Sequence, residues 1–129
     1  MLTILKTHDA SDIENYCKIS GVKYCEAVRA FEAKLKDKLC GFVLYRLHDG
    51  ACEILSVECY ADAPLFDGLI RSVFFSVTEC GADLPARFDN SIDKALLKKY
   101  NFISDDTYSV KSMLDFLNNC KNCKNSHDN

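Results

Sequence analysis

An Asp-Gly pair at positions 49 and 50, standing between two β-rich runs, constrains the fold of this chain more than any other local feature. A two-residue hairpin loop of the type I′ class needs positive φ at both central residues, which aspartate tolerates and glycine adopts freely. The run before it (residues 39–47, with Gly41-Phe42-Val43-Leu44-Tyr45 at its centre) and the run after it (residues 51–60) are therefore expected to pair antiparallel. In the second run Ile54, Leu55 and Val57 place apolar side chains on both faces. A strand of that kind belongs in a sheet covered on both sides, so helices must supply two covers.

The remaining periodicities supply them. Residues 2–6 read as a short first strand. Ser11-Asp12-Ile13-Glu14 has the form of a capping box, Ile13, Tyr16 and Cys17 then share one helical face, and Gly21 is the stop. Residues 24–35 pull two ways: Tyr24, Val28, Phe31 and Leu35 repeat at helical spacing, yet the strand at 39–47 needs a second neighbour and this segment is the nearest. We read it as strand. Pro64 suits the first turn of a helix whose apolar stripe is Phe66, Leu69, Ile70, Val73, Phe74 and Val77, ended by Gly81. Residues 84–88 read as a strand, and Asn90 or Ser91 is expected to cap a short helix running through Tyr100. Asn101-Phe102-Ile103 is expected to begin another strand, and Val110, Met113, Leu114 and Leu117 have the spacing of a last helix. The order is α/β with a mixed sheet. A single domain over residues 1–119 is expected, with residues 120–129 as a polar, cysteine-containing tail.

Composition sets the class. A chain of 129 residues is long enough to bury its own core, and 48% hydrophobic with 27% charged residues is ordinary for a globular protein. A net charge of −3 argues against a nucleic-acid surface, which needs a concentrated basic face. No stretch approaches the roughly 18 apolar residues of a membrane span. Eight cysteines would suit a secreted disulfide framework, but residues 1–9 lack the pattern of a signal peptide. Cys17, Cys25, Cys40, Cys52, Cys59 and Cys80 are therefore read as reduced core thiols in a cytoplasmic protein.

Several segments in order carry a likeness. Gly41-Phe42-Val43-Leu44-Tyr45, the hairpin and Glu53-Ile54-Leu55-Ser56-Val57 are followed by Leu96-Leu97-Lys98-Lys99-Tyr100-Asn101-Phe102, with Asn90 seven residues ahead of Leu97. Over residues 25–103 the chain resembles the GNAT-type acyl-CoA N-acyltransferases, and with its ending it resembles short GNAT-like proteins that carry a C-x-x-C tail. The resemblance implies a mixed, mostly antiparallel central sheet with helices on both faces. It implies transfer of an acetyl group from acetyl-CoA, as cosubstrate, to a small amine or an amino-terminal amine, with no metal. Its partners would be a small-molecule amine or peptide, without nucleic acid or membrane, and a homodimer is compatible with it.

The same resemblance assigns residues. The strand at 51–60 splays from its neighbour, so backbone groups of Val57 and Cys59 bond the pantetheine arm. The turn holding Ala63, Leu65, Phe66 and Gly68 takes the pyrophosphate at a helix N-terminus. Asn90 bonds the cofactor or caps its helix. Glu58 is the candidate base for an amine that must lose a proton before it attacks, and Tyr100 the candidate acid. Arg71 is either a phosphate or acidic-substrate contact or a surface residue. The chain departs from the family pattern at the pyrophosphate turn: Ala61-Asp62-Ala63-Pro64-Leu65-Phe66-Asp67-Gly68 has one glycine, no basic residue and two aspartates, and Leu97 stands where a tyrosine is usual. Two further readings stay open. One is a catalytically inactive GNAT-like domain that binds a small ligand or protein partner through the same cleft. The other is a metal or thiol protein using Cys120 and Cys123, with His127 as a third ligand.

Overall fold

A computed structural model describes residues 2–104 and 107–125, with side chains through Asn119. The hairpin forms as its residue types require, Asp49 and Gly50 having φ of 53° and 70°. It joins β3 (Lys38–His48) to β4 (Ala51–Cys59), the long central pair of the sheet. Before it lie β1 (Leu2–Lys6), α1 (Ala10–Ser20) and β2 (Arg29–Leu35). After it come α2 (Pro64–Glu79), β5 (Ala86–Phe88), α3 (Lys94–Lys99), β6 (Ser109–Val110) and α4 (Met113–Asn125). Among the described residues six strands form one sheet in the order β1-β2-β3-β4-β5-β6. Every neighbouring pair is antiparallel except β4 and β5, which are joined through α2 and run parallel. The expected mixed, mostly antiparallel sheet is what forms.

Two apolar clusters cover its faces. On one side Ile13, Tyr16 and Cys17 of α1 meet Ala30, Phe42 and Leu44, and the Tyr16 ring stacks on Phe42 with centroids 4.4 Å apart. On the other the stripe of α2 packs on Val43, Tyr45, Cys52 and Ile54, joined by Leu97, Phe102 and Met113. Leu69, Ile70, Val73 and Phe74 are wholly excluded from solvent. Burial on that scale stabilises by about 1.5–3 kcal/mol per side chain. Phe74 is the hub of an aromatic group, edge-on to Phe102 and to Phe116 of α4, which themselves stack at 4.8 Å.

Five local expectations need correction. The segment 24–35 is strand only from Arg29 onward. Val28 still reaches the core, but from the turn that precedes β2. The cap of α1 is Asp9, whose carboxylate accepts from the Ser11 amide, so the helix starts ahead of the Ser11 box. Neither Asn90 nor Ser91 caps α3; Asp93 does, accepting from the amides of Ala95 and Leu96, while Asp89 closes its own turn on Ser91. Asn101 ends that helix instead of starting a strand. It takes the left-handed conformation (φ 66°) that asparagine tolerates, the Phe102 amide donates back to the Leu97 carbonyl, and the next strand waits until Ser109. Of the thiols, Cys17, Cys40 and Cys52 are buried as expected, but Cys25 and Cys80 are exposed. Among the described residues no helix is long and apolar enough to cross a membrane.

Candidate functional site

The site follows from one extra residue in β4. Leu44 of β3 pairs with Ser56, but the next residue, Tyr45, pairs with Ile54, leaving Leu55 as a β-bulge. Side-chain alternation shifts there, so Cys52 and Ile54 before the bulge and Val57 and Cys59 after it all face α2. The pairing of β4 with β5 stops at the same place. Cys52, Glu53 and Ile54 have partners on β5, the Ile54 carbonyl accepts the last bond from the Asp89 amide, and beyond Ile54 the two strands part.

Past that point β4 is bonded on one side only. The Tyr60 amide donates to the Cys40 carbonyl of β3 at 2.8 Å, so alternation turns the N–H and C=O of Val57 and Cys59 away from β3 and into the gap. They have no backbone partner among the described residues. Gly41 allows the close approach that holds this stretch, because a Cβ there would lie 2.6 Å from the Glu58 carbonyl oxygen. The gap opens into a cleft of about 350 Å³. Ser56, Val57, Glu58 and Cys59 line one wall, Ser91 to Asp93 and Leu96 the other, and Phe66 and Ser20 close the remaining sides. The Ser20 hydroxyl oxygen is buried without a hydrogen-bond partner among the described residues.

The residues expected from sequence fall into three groups. Val57, Glu58, Cys59 and Phe66 come together at this cleft. The Glu58 carboxylate has no hydrogen-bond or ion-pair partner among the described residues, and the Cys59 thiol donates to the Asp62 carbonyl at 3.4 Å. Tyr100 is joined to the cleft through Phe66, on which its ring stacks at 6.4 Å, and Leu96 of the same helix is the residue that lines the wall. Asn90 borders a separate, smaller cleft with Arg46, Leu55 and Arg87, on the face where Glu53 bonds both arginines. Leu65 is a core residue, and Gly68 lets α2 approach Ile4 of β1, a Cβ there lying 3.1 Å from the isoleucine Cδ1. Ala63 is the N-terminal flank of α2 and has no side-chain cap. Sequence reasoning passed over Ser20, Ser56, Ser91, Asp93 and Leu96. Of these, Ser91 alone was singled out in the sequence, and only as a cap.

Neither a protein-family model nor a curated protein sequence matches the chain. Solved structures do match its shape. The PaiA N-acetyltransferase of Thermoplasma acidophilum, solved with coenzyme A, aligns over 87% of this chain and 97% of its own at 12% identity, with a TM-score of 0.58. The chain has the GNAT acetyltransferase fold. The Escherichia coli ribosomal-protein-S18-alanine N-acetyltransferase shares that GNAT fold with it over 79% of this chain and 76% of its own, at 13% identity and a TM-score of 0.60. A GNAT family acetyltransferase from Elizabethkingia anophelis, solved with acetyl-CoA bound, aligns over 78% and 73% at 12% identity and a TM-score of 0.55.

Coenzyme A asks two things of such a site, and the residues here answer them differently. The unpaired backbone groups of Val57 and Cys59 fit the amides of a pantetheine arm, which hydrogen-bonds as an added strand does. The start of α2 does not fit a diphosphate. Of the first amides of that helix, Pro64 has none, Leu65 donates to the Asp62 carbonyl and Phe66 to the Ala63 carbonyl, each at 3.0 Å. Asp62 adds negative charge at the turn, and Asp67 holds Arg71 at 2.8 Å while the guanidinium lies over Phe102 and Phe116. For metals, no group of three or more His, Cys, Asp or Glu side chains converges among the described residues. The side chains of Cys120, Cys123 and His127 lie outside those residues.

Proposed function

We propose that the cleft beside β4 is the active site of an N-acyltransferase, in which an acetyl thioester donor, acetyl-CoA, acylates a small amine or an amino-terminal group. The observation that carries this reading is the parting of β4 from β5 at the Leu55 bulge, which leaves the backbone of Val57 and Cys59 unpaired at the wall of a cleft. Its support is that proteins of the same fold hold coenzyme A or acetyl-CoA. The lining supports an amine acceptor. Glu58 and Asp93 are acidic, Ser20, Ser56 and Ser91 present hydroxyls, and among the described residues neither lysine nor arginine borders the cleft. An ammonium group is attracted there, and Glu58, with its carboxylate unengaged, takes the proton the amine must lose before it can attack a carbonyl. Tyr100 reaches the cleft through Phe66, so it is assigned the packing of that ring.

The test is a thiol-release assay with acetyl-CoA against a panel of primary amines and short peptides with free amino termini, alongside calorimetric titration of the donor. Binding, with amine-dependent thiol release that falls in a Glu58→Gln variant, is the expected result. No donor binding at any concentration up to about 1 mM, a range in which even weak sites register, overturns the reading.

A further inference from the structure

The two halves of the donor meet different surfaces, and the difference has a consequence for what the site recognises. Resting on the acyltransferase reading, we infer that this cleft takes its donor by the acylated pantetheine arm alone, and that the 3′-phospho-ADP half of coenzyme A adds nothing to its affinity. The ligand chemistry is an acyl thioester on a pantetheine chain, whether or not a nucleotide is attached.

The argument is a matter of donors and charge. The arm needs backbone partners along an extended edge, and β4 offers them from Val57 to Cys59, just beyond the bulge at Leu55. A diphosphate needs free amides and positive charge, because desolvating its oxygens without partners is costly. Pro64, Leu65 and Phe66 provide no free amide at the start of α2. The segment 61–68 carries Asp62 and Asp67 and no cation. Phe66 fills this end with a buried ring, backed by Tyr100. Lys99 stands beside Tyr100, its ammonium 5.6 Å from the centre of the ring. With Arg71 already held by Asp67, and with Asp62 at the turn, one exposed lysine gives a phosphate group little attraction in water.

Three ligands separate the possibilities in calorimetric titrations of the unaltered protein: acetyl-CoA, S-acetylpantetheine and adenosine 3′,5′-bisphosphate. The expected result is that the two thioesters bind within about tenfold of each other, equivalent to about 1.4 kcal/mol, and that the bisphosphate does not compete with either. A Lys99→Ala variant should then bind acetyl-CoA as the parent protein does. Acetyl-CoA binding more than about tenfold tighter than S-acetylpantetheine, or competition by the bisphosphate, overturns the inference while leaving the acyltransferase reading intact. Failure of both thioesters to bind overturns the acyltransferase reading and the inference with it.

Discussion

Replacing Gly41 by alanine tests whether the spacing of β3 and β4 sets the shape of the cleft. The new methyl would stand 2.6 Å from the Glu58 carbonyl oxygen and 3.3 Å from both the Cys59 Cα and the Leu65 Cδ2. Ordinary contact begins near 3.4 Å, so the strands must separate by about 0.8 Å, and the nearest obstacle is backbone that cannot rotate away. Overpacking of this kind costs about 1–3 kcal/mol. In a domain of this size each kcal/mol lowers Tm by about 3–5 °C, so a fall of about 3–15 °C is expected in a calorimetric scan. The displaced backbone is the stretch that carries Val57, Glu58 and Cys59, so the donor should also bind at least about threefold more weakly by titration, which is about 0.6 kcal/mol. A variant that melts within about 1 °C of the parent and binds acetyl-CoA equally well would refute the claim that this contact positions β4.

Four other outcomes are expected. Glu58→Gln should lower kcat by about 10²-fold with little change in donor affinity, as measured by thiol release beside titration. Tyr16→Phe should cost about 1.5–3 kcal/mol in urea melts at pH 7, since Tyr16 donates to the Glu32 carboxylate at 2.7 Å, Thr7 at 3.0 Å. Burial raises the pKa of Glu32, but the Tyr16 and Thr7 hydrogen bonds and the nearby Lys34 outweigh it and hold it below the ordinary 4.5. Because the folded value is depressed, the stabilisation is complete above pH 4.5 and fades as pH falls through the folded value, so the penalty of Tyr16→Phe should shrink in melts at low pH. Phe74→Ala should cost about 3–5 kcal/mol, measured by urea unfolding, because it empties the centre of the aromatic group. Alkylation of the native protein should mark Cys25 and Cys80 and spare Cys17, Cys40 and Cys52, as read by mass spectrometry; burial pushes the Cys52 thiol up to about 12.

The features legible in the sequence are those decided within a few residues of themselves. Asp49-Gly50 and Gly21 show the left-handed conformations that their residue types favour, and Pro64 opens α2 as proline does. The α2 stripe could be read because one face of one helix carries it. Residues 24–35 were ambiguous because Phe31 and Leu35 suit either period, and only pairing with β1 and β3 resolves them. Around α3 the sequence offers Asp89, Asn90, Ser91 and Asp93 within five positions, all with capping chemistry, and the depth at which Leu97 packs selects Asp93. The cleft was legible only in part. Val57, Glu58 and Cys59 could be placed on its edge strand, but Ser20 reaches it from the far end of α1, a relation between elements that no local pattern contains.

The bulge at Leu55 makes the cleft depend on a residue count more than on residue identity. Deleting Leu55 would bring β4 back into step with β3, leave Val57 and Glu58 on the faces they now occupy, and remove the irregularity at which pairing with β5 ends. No substitution among the lining side chains has that reach. Such a device can outlast nearly every residue around it, since its blueprint is arithmetic: one strand is one position longer than its partner. Shapes kept this way can persist at the 12–16% identity seen between this chain and its structural neighbours, while the groups that line them change freely.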